Sequence, residues 1–333
     1  MSDRILLAHG DGGQPMADLI ERVFVSRLGR GEPPGDDAAQ LAVAGRLAFT
    51  TDAFVVDPIF FPGGDIGRLA ICGTVNDLAT AGARPLAISA SFIIEEGLPM
   101  ADLERVVDSM ARTVEEANVK VVTGDTKVVP RGKADRLYIS TSGIGEITPG
   151  VSASGANAQA GDVVIISGPV GDHGLAVLSQ REGLEFESEI ISDCAPLAGM
   201  VQALLNAVPT IHTLRDPTRG GLANALNEIS RQSEVEIEIT EADVPVRPSV
   251  ATACELLGLD PLYAANEGKM VIFVSSDEAD SVIHALRDHP YGREAAVIGT
   301  VTKRHAGRVL LRTALGTRRI LDRHIGEQLP RIC

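Results

Sequence analysis

Positively charged residues are scarce in this sequence. Its 333 residues include 30 Lys and Arg against 45 Asp and Glu, which gives a formal net charge of -15. This balance excludes a general basic surface, and with it binding to nucleic acid or to an anionic membrane through such a surface. It does not exclude phosphate substrates, because clustered carboxylates bind them through Mg²⁺.

Cysteine is also scarce, and no long apolar run is present. Cys72, Cys194, Cys254 and Cys333 form no CxxC pair and no zinc-finger spacing. Cys72 and Cys254 sit in apolar segments, so we expect them to pack as small hydrophobic residues. A disulfide framework is not expected, which fits a reducing cytoplasm. No stretch of about 18 apolar residues predicts a membrane span, and the N-terminus has no signal-peptide pattern. We therefore expect a cytoplasmic protein.

Two common catalytic patterns are missing as well. The P-loop motif GxxxxGK[ST] does not occur, so the protein is not a P-loop NTPase. The glycine-rich stretch "HGDGG", with Gly10, Gly12 and Gly13, lacks the full GxGxxG pattern and is a weak signal by itself. No Ser/His/Asp arrangement can be inferred from the spacing of the seven His residues.

The composition favours a two-domain enzyme that mixes strands and helices. The sequence is 44% hydrophobic with 34 Gly, which suffices for a sizeable core, and its length exceeds one ordinary domain. A turn-rich stretch, "TPGVSASGANAQAG", lies between two mixed halves. We place the boundary near 150–161, between domains 1–150 and 151–322, and this pattern favours α+β layering and a Rossmann sheet equally.

Hydrophobic periodicity predicts most of the elements. The predicted helices lie within 16–28, 65–82, 100–119, 162–183, 195–208, 218–233 and 277–289. The predicted strands lie within 46–56, 85–95, 120–129, 137–147, 162–183, 235–246, 269–275 and 293–304. The strand in 120–129 is predicted to run into a loop. Segment 162–183 is predicted to contain a strand, a glycine-rich loop and a helix, so it appears in both sets. The stretch "RRILDRHIGEQLPRIC" has few packing anchors and is interpreted as a flexible arm, with the tail set at 323–333.

Aspartates recur in five turn-like segments beside small residues. Turn aspartates usually cap the local backbone, and for any single one that interpretation is favoured. Five such segments together favour a site in which Mg²⁺ meets a nucleotide triphosphate. The predicted metal ligands are Asp36, Asp37, Asp52, Asp77, Asp125 and Asp216.

The stretch "DPTRGGLAN" adds an anion-binding signal. It places Arg219, Gly220 and Gly221 where a helix is predicted to begin, and a helix N-terminus favours anions.

The sequence ends on Cys333, which is unusual for a thiol. One interpretation is an accidental surface cysteine, and the other is a tethered thiol that carries a covalent group into an active site. From this residue alone the two are equally favoured.

Together these segments resemble the PurM-like ATP-binding superfamily of aminoimidazole ribonucleotide synthetase, selenophosphate synthetase and thiamine monophosphate kinase. Within it the sequence is most similar to the carbamoyl dehydratases of hydrogenase maturation. One departure is Asp11, where a small residue is expected. The resemblance rests on "LAHGDGG" (7–13), "GDDAA" (35–39), "TTDAFVVDPIFFPGGDIG" (50–67), "GTVNDLATAGARPL" (73–86), "GDTKVVPRGKAD" (124–135), "RDPTRGGLA" (215–223), "ANEGK" (265–269) and "PRIC" (330–333).

The resemblance implies a role for the terminal thiol. A HypF-like carbamoyltransferase would load a carbamoyl group onto Cys333. The protein would then activate the amide oxygen with ATP and Mg²⁺ and eliminate it, leaving a thiocyanate. A HypC–HypD-type iron scaffold would receive the cyanide for the [NiFe]-hydrogenase cofactor.

The resemblance also assigns residues. Lys127 and Glu267 would orient the thiocarbamate and move its protons. Alternatively, Lys127 could simply neutralise the charge of the nearby aspartates, and Glu267 could simply cap a helix or form a salt bridge. The nucleotide would be bound by Gly10, Gly12, Gly13, Asn76, Thr126, Arg219, Gly220 and Gly221.

Two alternatives stay open at this point. Another superfamily enzyme, such as selenophosphate synthetase or a small-molecule kinase, would give Cys333 no role, and "HGDGG" lacks the Cys expected of the former. An ATP-binding scaffold would bind nucleotide without turnover.

The resemblance further implies a homodimer that pairs through its N-terminal halves. The run Ile59, Phe60 and Phe61 is too apolar for a solvated loop, and we expect it at this interface rather than in the core.

Overall fold

The structure is a computed structural model that describes residues 3–29, 38–184 and 189–323. Asp36, Asp37 and Cys333 therefore lie outside the described residues, as does most of the predicted tail. The helices are α1 (Gln14–Leu19), α2 (Ser26–Leu28), α3 (Ile66–Thr80), α4 (Met100–Glu116), α5 (Asp172–Glu182), α6 (Ala198–Ala207), α7 (Gly221–Gln232), α8 (Pro248–Leu257) and α9 (Ala279–Arg287). The strands are β1 (Leu47–Phe54), β2 (Phe60–Phe61), β3 (Gly64–Asp65), β4 (Ala83–Glu95), β5 (Lys120–Val129), β6 (Leu137–Ile147), β7 (Asp162–Ile166), β8 (Thr213–Arg215), β9 (Glu236–Thr240), β10 (Val271–Ser275), β11 (Ala296–Thr302), β12 (Arg308–Arg312) and β13 (Arg318–Ile320).

Shorter helical segments join these elements. A π-helical segment, Ile20–Val25, connects α1 and α2. Single 3₁₀ turns are formed by Leu7–Gly10, Glu241–Asp243, Pro261–Tyr263, Ser276–Glu278 and Pro290–Gly292.

The first half is a four-stranded sheet with helices on one face. Its strand order is β1-β6-β4-β5, and only the β4–β5 pair is parallel. Alternate residues of β4, among them Ile88, Ala90 and Phe92, enter the core with α3 and α4. The opposite face is open in the single chain, and Phe49 on β1 is 70% exposed there.

The second half is a seven-stranded sheet covered on both faces. Its order is β13-β12-β9-β11-β7-β10-β8, and of its pairs only β12–β9 is parallel. Period-2 alternation in β10 sends Ile272 and Val274 to the α6–α9 side, and Val271 and Phe273 to the α7 side. The two halves thus share mixed α+β layering, one of the two arrangements that the sequence pattern favours.

Most predicted elements are confirmed, and six were missed. The sequence patterns did not predict β2, β3, β8, α8, β12 or β13. The stretch "GDTKVV" continues β5 to Val129 instead of leaving it as a loop. No helix in the described ranges combines the length and apolarity needed to cross a membrane.

The flexible-arm interpretation is wrong for the first residues of "RRILDRHIGEQLPRIC". Arg318–Ile320 forms β13, and Leu321 is fully buried beside β12. The Leu321 amide donates to Val309 O at 2.9 Å, and the Leu321 carbonyl accepts from Asn227 Nδ2 at 2.8 Å. The folded body therefore holds the chain firmly as far as Leu321.

The interface assignment of the Ile59–Phe61 run is also wrong. Ile59 and Phe61 are 1% and 6% exposed and belong to the first core. Phe60 is partly buried, and the Arg105 guanidinium covers its ring at 4.0 Å from the centroid. A β2–β3 hairpin turns this run inward, which a linear apolar pattern does not reveal.

Candidate active site

Three carboxylates from different elements form the centre of the candidate site. Asp52 lies on β1, Asp77 on α3, and Asp216 directly follows β8. Asp52 faces α3, since a Cβ added at Gly73 would lie 3.9 Å from Asp52 Oδ2. The Thr50 hydroxyl donates to Asp77 Oδ2 at 2.6 Å and ties α3 to β1. We call Asp52, Asp77 and Asp216 the carboxylate group.

Mutual repulsion shows that these carboxylates lie close together. Burial raises the pKa of Asp216 to about 7, and repulsion from Asp77 and Asp52 adds to the shift. Burial likewise raises the pKa of Asp52 to about 6, with repulsion from Asp77 adding and the Arg219 guanidinium opposing. A cation placed among these oxygens would relieve the repulsion.

The donor set of the carboxylate group fits Mg²⁺ that arrives with a phosphate. Carboxylate oxygens are hard ligands, and Mg²⁺ commonly takes one or two of them and completes its shell with phosphate oxygens and water. Within residues 3–29, 38–184 and 189–323, no three His, Cys, Asp or Glu side chains form a group able to hold a metal ion by themselves.

Glu267 is a buried carboxyl group next to the carboxylate group. It is 3% exposed, and no other described residue hydrogen-bonds its side chain. Burial raises its pKa well above the ordinary value, and the neighbouring Cys194, Asp216, Asp193 and Asp52 add to the shift. A carboxyl group with a raised pKa is a stronger base when ionised, as general acid–base chemistry requires.

Asp193 fixes the backbone that carries Glu267. The carboxylate of Asp193 accepts hydrogen bonds from the Glu267 amide at 3.1 Å, the Gly268 amide at 3.2 Å and Lys269 Nζ at 3.1 Å. A Cβ at Gly268 would lie 1.8 Å from the Asp193 carbonyl oxygen, so the two segments approach as closely as glycine allows. Glu267 thus has a free side chain on a rigid support.

Asn76 has a positioning role in this structure. Its Nδ2 donates to the carbonyls of Ala195 at 3.0 Å and Glu267 at 3.3 Å, and its Oδ1 accepts from the Leu197 amide at 2.7 Å. Both amide protons are therefore used within the protein. The side chain that the resemblance assigned to the nucleotide instead joins α3 to the Glu267 segment.

The start of α7 lies beside the carboxylate group. Gly220 and Gly221 have left-handed φ values of +73° and +61°, which only glycine adopts without strain. A Cβ at Gly221 would lie 2.5 Å from the Ala264 carbonyl oxygen, so the helix start packs tightly against that loop. Arg219 precedes this turn within electrostatic reach of Asp52. A helix N-terminus with an adjacent guanidinium suits an anion such as phosphate.

A second set of predicted residues lies on β5, at the far edge of the first sheet. Lys127 Nζ donates to Asp125 Oδ1 at 2.9 Å, and this hydrogen bond lowers the pKa of Asp125. The Thr126 side chain is buried on the opposite side of the strand. Gly10 packs against the strand, since a Cβ there would lie 2.6 Å from Val128 N. We call Gly10, Asp125 and Lys127 the edge group.

The rest of the glycine loop continues from the edge group toward α1. Gly12 has a φ of +84°, and the Gly13 amide donates to Asp11 Oδ1 at 3.0 Å. Asp11, the residue that departs from the expected pattern, therefore closes the turn before α1.

The strand register separates the two sets within one chain. Asp125 is level with Ser91 on β4, Ser91 with Ser140 on β6, and Ser140 with Ala53 on β1. Three strand spacings amount to about 14 Å. Asp125 and Lys127 are exposed on the open face of the sheet, whereas Asp52 faces α3. One cation cannot touch both sets in a single chain.

Sequence reasoning missed Asp193, Lys269 and Thr50. Asp193 lies in "SDCAP", which has the same aspartate-beside-small-residue form as the five segments that were recognised. That form was the available signal. The contacts of Asp193 with residues 267–269 join positions more than 70 apart, which no local pattern contains.

Comparison with known proteins agrees with this fold. The protein-family model described as AIR synthase related protein, N-terminal domain, matches residues 35–147. The family model described as AIR synthase related protein, C-terminal domain, matches residues 159–312. The chain therefore belongs to the AIR synthase related family.

Individual relatives narrow the assignment to the HypE carbamoyl dehydratases. Carbamoyl dehydratase HypE of Azotobacter vinelandii is 52% identical over 330 residues, covering 98% of this chain and 96% of that protein. A crystal structure of HypE in complex with ATP superposes with a TM-score of 0.94 at 50% identity, covering 98% and 99% of the two chains. A structure of a HypE–HypF complex gives a TM-score of 0.82 at 48% identity, covering 94% and 100%. The resemblance noted in the sequence is confirmed.

Proposed function

We propose that the protein is an ATP-dependent carbamoyl dehydratase that converts an S-carbamoyl group on Cys333 into a thiocyanate for hydrogenase maturation. The observation that carries this proposal is the 52% identity to a carbamoyl dehydratase over nearly the whole chain. The buried Glu267 beside the carboxylate group supplies the acid–base group that the reaction needs.

The chemistry balances as a phosphate-assisted loss of water. The amide oxygen attacks the γ-phosphorus of ATP, ADP leaves, and the oxygen becomes a good leaving group. Loss of both N–H protons and departure of the oxygen as inorganic phosphate leave a C≡N group on sulfur. Glu267 would accept one of these protons, and its raised pKa supports this role because it makes the ionised carboxylate a stronger base.

The nucleotide is proposed to lie between the carboxylate group and the start of α7. Asp52, Asp77 and Asp216 would hold Mg²⁺, which offsets charge on the triphosphate when it is bound. Arg219 and the α7 N-terminus would face phosphate oxygens. Asp36 and Asp37 stay predicted ligands outside the described residues. The HypE–ATP complex supports nucleotide binding by this fold.

The edge group requires a second copy of the chain. Asp125 and Lys127 lie on the open sheet face, about three strand spacings or 14 Å from Asp52. We propose a homodimer in which these open faces meet, so that Lys127 and the Gly10–Gly13 loop complete the site of the partner subunit. Lys127 would then orient the thiocarbamate, as the resemblance implies.

The proposed partners follow from the reaction. A HypF-like carbamoyltransferase would load Cys333, in line with the solved HypE–HypF complex, and a HypC–HypD-type iron scaffold would accept the cyanide. We propose the cytoplasm as the compartment, because Cys72, Cys194 and Cys254 are all buried free thiols.

Intact-mass measurement tests the proposal. After incubation with the carbamoylating partner and ATP, the chain is expected to gain a carbamoyl group and then lose one water, both at Cys333. Cys333→Ala should fold normally and acquire neither change. A cyano group on the alanine variant would disprove the carrier role, and nucleotide binding without ATP consumption would identify a scaffold instead.

A further inference from the structure

A cavity lies at the junction of the two halves, outside the candidate active site. Its volume is about 440 Å³, and none of its lining residues belongs to the carboxylate group or the edge group. It is formed by the β2–β3 hairpin, the start of α3, one face of α4 and Cys194. Its lining includes three guanidinium groups, those of Arg68, Arg105 and Arg112. That is a local concentration of positive charge in a chain of net charge -15.

The first of these arginines is neutralised within the protein. Arg68 Nε donates to the Cys194 carbonyl at 2.9 Å, and Arg68 Nη1 donates to Glu116 Oε2 at 2.8 Å. The Tyr291 hydroxyl also hydrogen-bonds to Glu116. Arg68 therefore links the two halves through these hydrogen bonds, and the Glu116 carboxylate already neutralises its charge.

The other two arginines keep their charge available. Arg105 and Arg112 lie seven residues apart on α4, with Ser109 between them on the same face of the helix. Neither forms a salt bridge with a described carboxylate, although Arg105 lies close enough to Asp65 to oppose the rise in the pKa of that carboxyl group. The Arg105 guanidinium rests on the Phe60 ring at 4.0 Å, which orients the group without neutralising it.

The one carboxylate that lines the cavity is occupied. Asp65 is 7% exposed and caps α3 by accepting hydrogen bonds from the Gly67 amide at 2.8 Å and the Arg68 amide at 3.1 Å. Ser109 also hydrogen-bonds to it. Asp65 therefore serves the helix cap, and two guanidinium groups remain over a hydroxyl-lined floor that includes Thr113.

We propose that this cavity binds an oxyanion of the phosphate class between Arg105 and Arg112. A planar guanidinium offers two parallel N–H groups that match two phosphate oxygens, and two of them flanking one cavity suit a dianion. The Ser109 and Thr113 hydroxyls line the cavity but already hydrogen-bond within the protein, to Asp65 and to the Ser109 carbonyl at 2.8 Å, so the two guanidinium groups supply the contacts to the anion. Free phosphate and a phosphomonoester share this chemistry.

Isothermal titration of the full-length protein tests the proposal. A saturating non-hydrolysable ATP analogue is present to fill the nucleotide site, and sodium phosphate is added against chloride of equal ionic strength. One phosphate per chain is expected to bind. The double variant Arg105→Gln/Arg112→Gln should bind it at least about tenfold more weakly, since two charge-assisted contacts are lost. Arg112→Gln alone, which leaves the Phe60 contact intact, should show a smaller loss.

A matched control removes the same charge elsewhere. Lys303→Gln/Arg304→Gln lies on an exposed turn and should bind phosphate like the wild type. Titration with AMP then distinguishes the sources, since tighter binding of AMP identifies an organic phosphate and equal binding identifies free phosphate. Three results would overturn the proposal: unchanged affinity in the Arg105/Arg112 variant, no binding while the analogue is present, or binding of a poly-glutamate peptide in place of phosphate.

Discussion

At the scale of single residues, Glu267 combines burial with a side chain that the described residues leave free. Asp193 and Asn76 hold its backbone from two sides, so its position does not depend on its own carboxyl group. A general acid–base residue needs a side chain that is free to exchange protons and a backbone that other groups hold in place.

Glu267→Gln should therefore block dehydration while sparing the earlier steps. The amide keeps the size of the carboxyl group but cannot take up a proton. We expect the variant to fold, bind ATP and accept the carbamoyl group, with cyano-cysteine formation reduced at least about a hundredfold. Mass spectrometry of Cys333 measures it, and Glu255→Gln on the exposed side of α8 is the control. Normal cyano formation in the Glu267 variant would exclude its catalytic role.

Asp172, a buried carboxylate away from the carboxylate group, predicts a pH effect on stability. Burial raises its pKa to about 6, repulsion from Asp193 adds, and Lys269 and Arg247 oppose. Since the folded pKa exceeds the unfolded value, the wild type loses stability as pH rises through this range. Asp172→Asn lacks that loss, so its stability relative to wild type should improve by about 1 kcal/mol between pH 5 and pH 7.5. Urea unfolding at both pH values measures the change, and a pH-independent difference would contradict it.

At the scale of elements, the tight start of α7 is a testable feature. Gly221→Ala introduces a Cβ 2.5 Å from the Ala264 carbonyl in a left-handed conformation. It should destabilise the protein by about 2 kcal/mol or more and weaken ATP binding, because the helix start must shift. Gly258→Ala is the matched control, since φ is +69° there and the added Cβ meets nothing within 4 Å. It should cost about 1 kcal/mol and spare ATP binding. Equal effects of the two changes would show that the α7 contact is unimportant.

Sequence periodicity predicted the elements that bury a regular face and missed those that do not. α3 and α4 follow their predicted segments closely because apolar residues repeat at helical spacing. α8 was missed because Leu256 and Leu257 point outward and blur its apolar stripe. β8 and β13 have only three residues each, too few to show a period. The sequence of β13 shows no strand pattern, and pairing with β12 in the sheet stabilises this strand.

At the scale of the whole molecule, the site residues divide between the two faces of the first sheet. The sequence could predict that Asp52, Asp77, Asp125 and Asp216 are unusual aspartates, since each stands beside small residues. It could not predict their arrangement, because that depends on which edge each strand occupies. The order β1-β6-β4-β5 puts Asp52 and Asp125 at opposite edges.

The open sheet face predicts the quaternary structure. Leu47 and Phe49 on β1 and Ile93 on β4 are 50%, 70% and 43% exposed on it. We expect a dimer in sedimentation at micromolar concentration. Phe49→Asp should yield monomers that bind ATP weakly, because each site loses the edge group of the other subunit. Leu315→Asp, at a residue 92% exposed on the other half, should leave the dimer intact. A monomer that binds Mg²⁺-ATP at full strength would refute the shared site.

The burial of Leu321 sets a geometric limit on chemistry at Cys333. Cys333 lies twelve positions after Leu321, and a fully extended chain of that length spans about 40 Å. Every encounter of the thiol therefore takes place inside a sphere of that radius centred on β12. One sulfur in such a volume corresponds to a local concentration on the order of millimolar. If Cys333 is the carrier proposed above, a loading enzyme and a cyanide acceptor would both have to reach into this sphere, so the length of the chain after Leu321 limits which of their surfaces can contact the thiol.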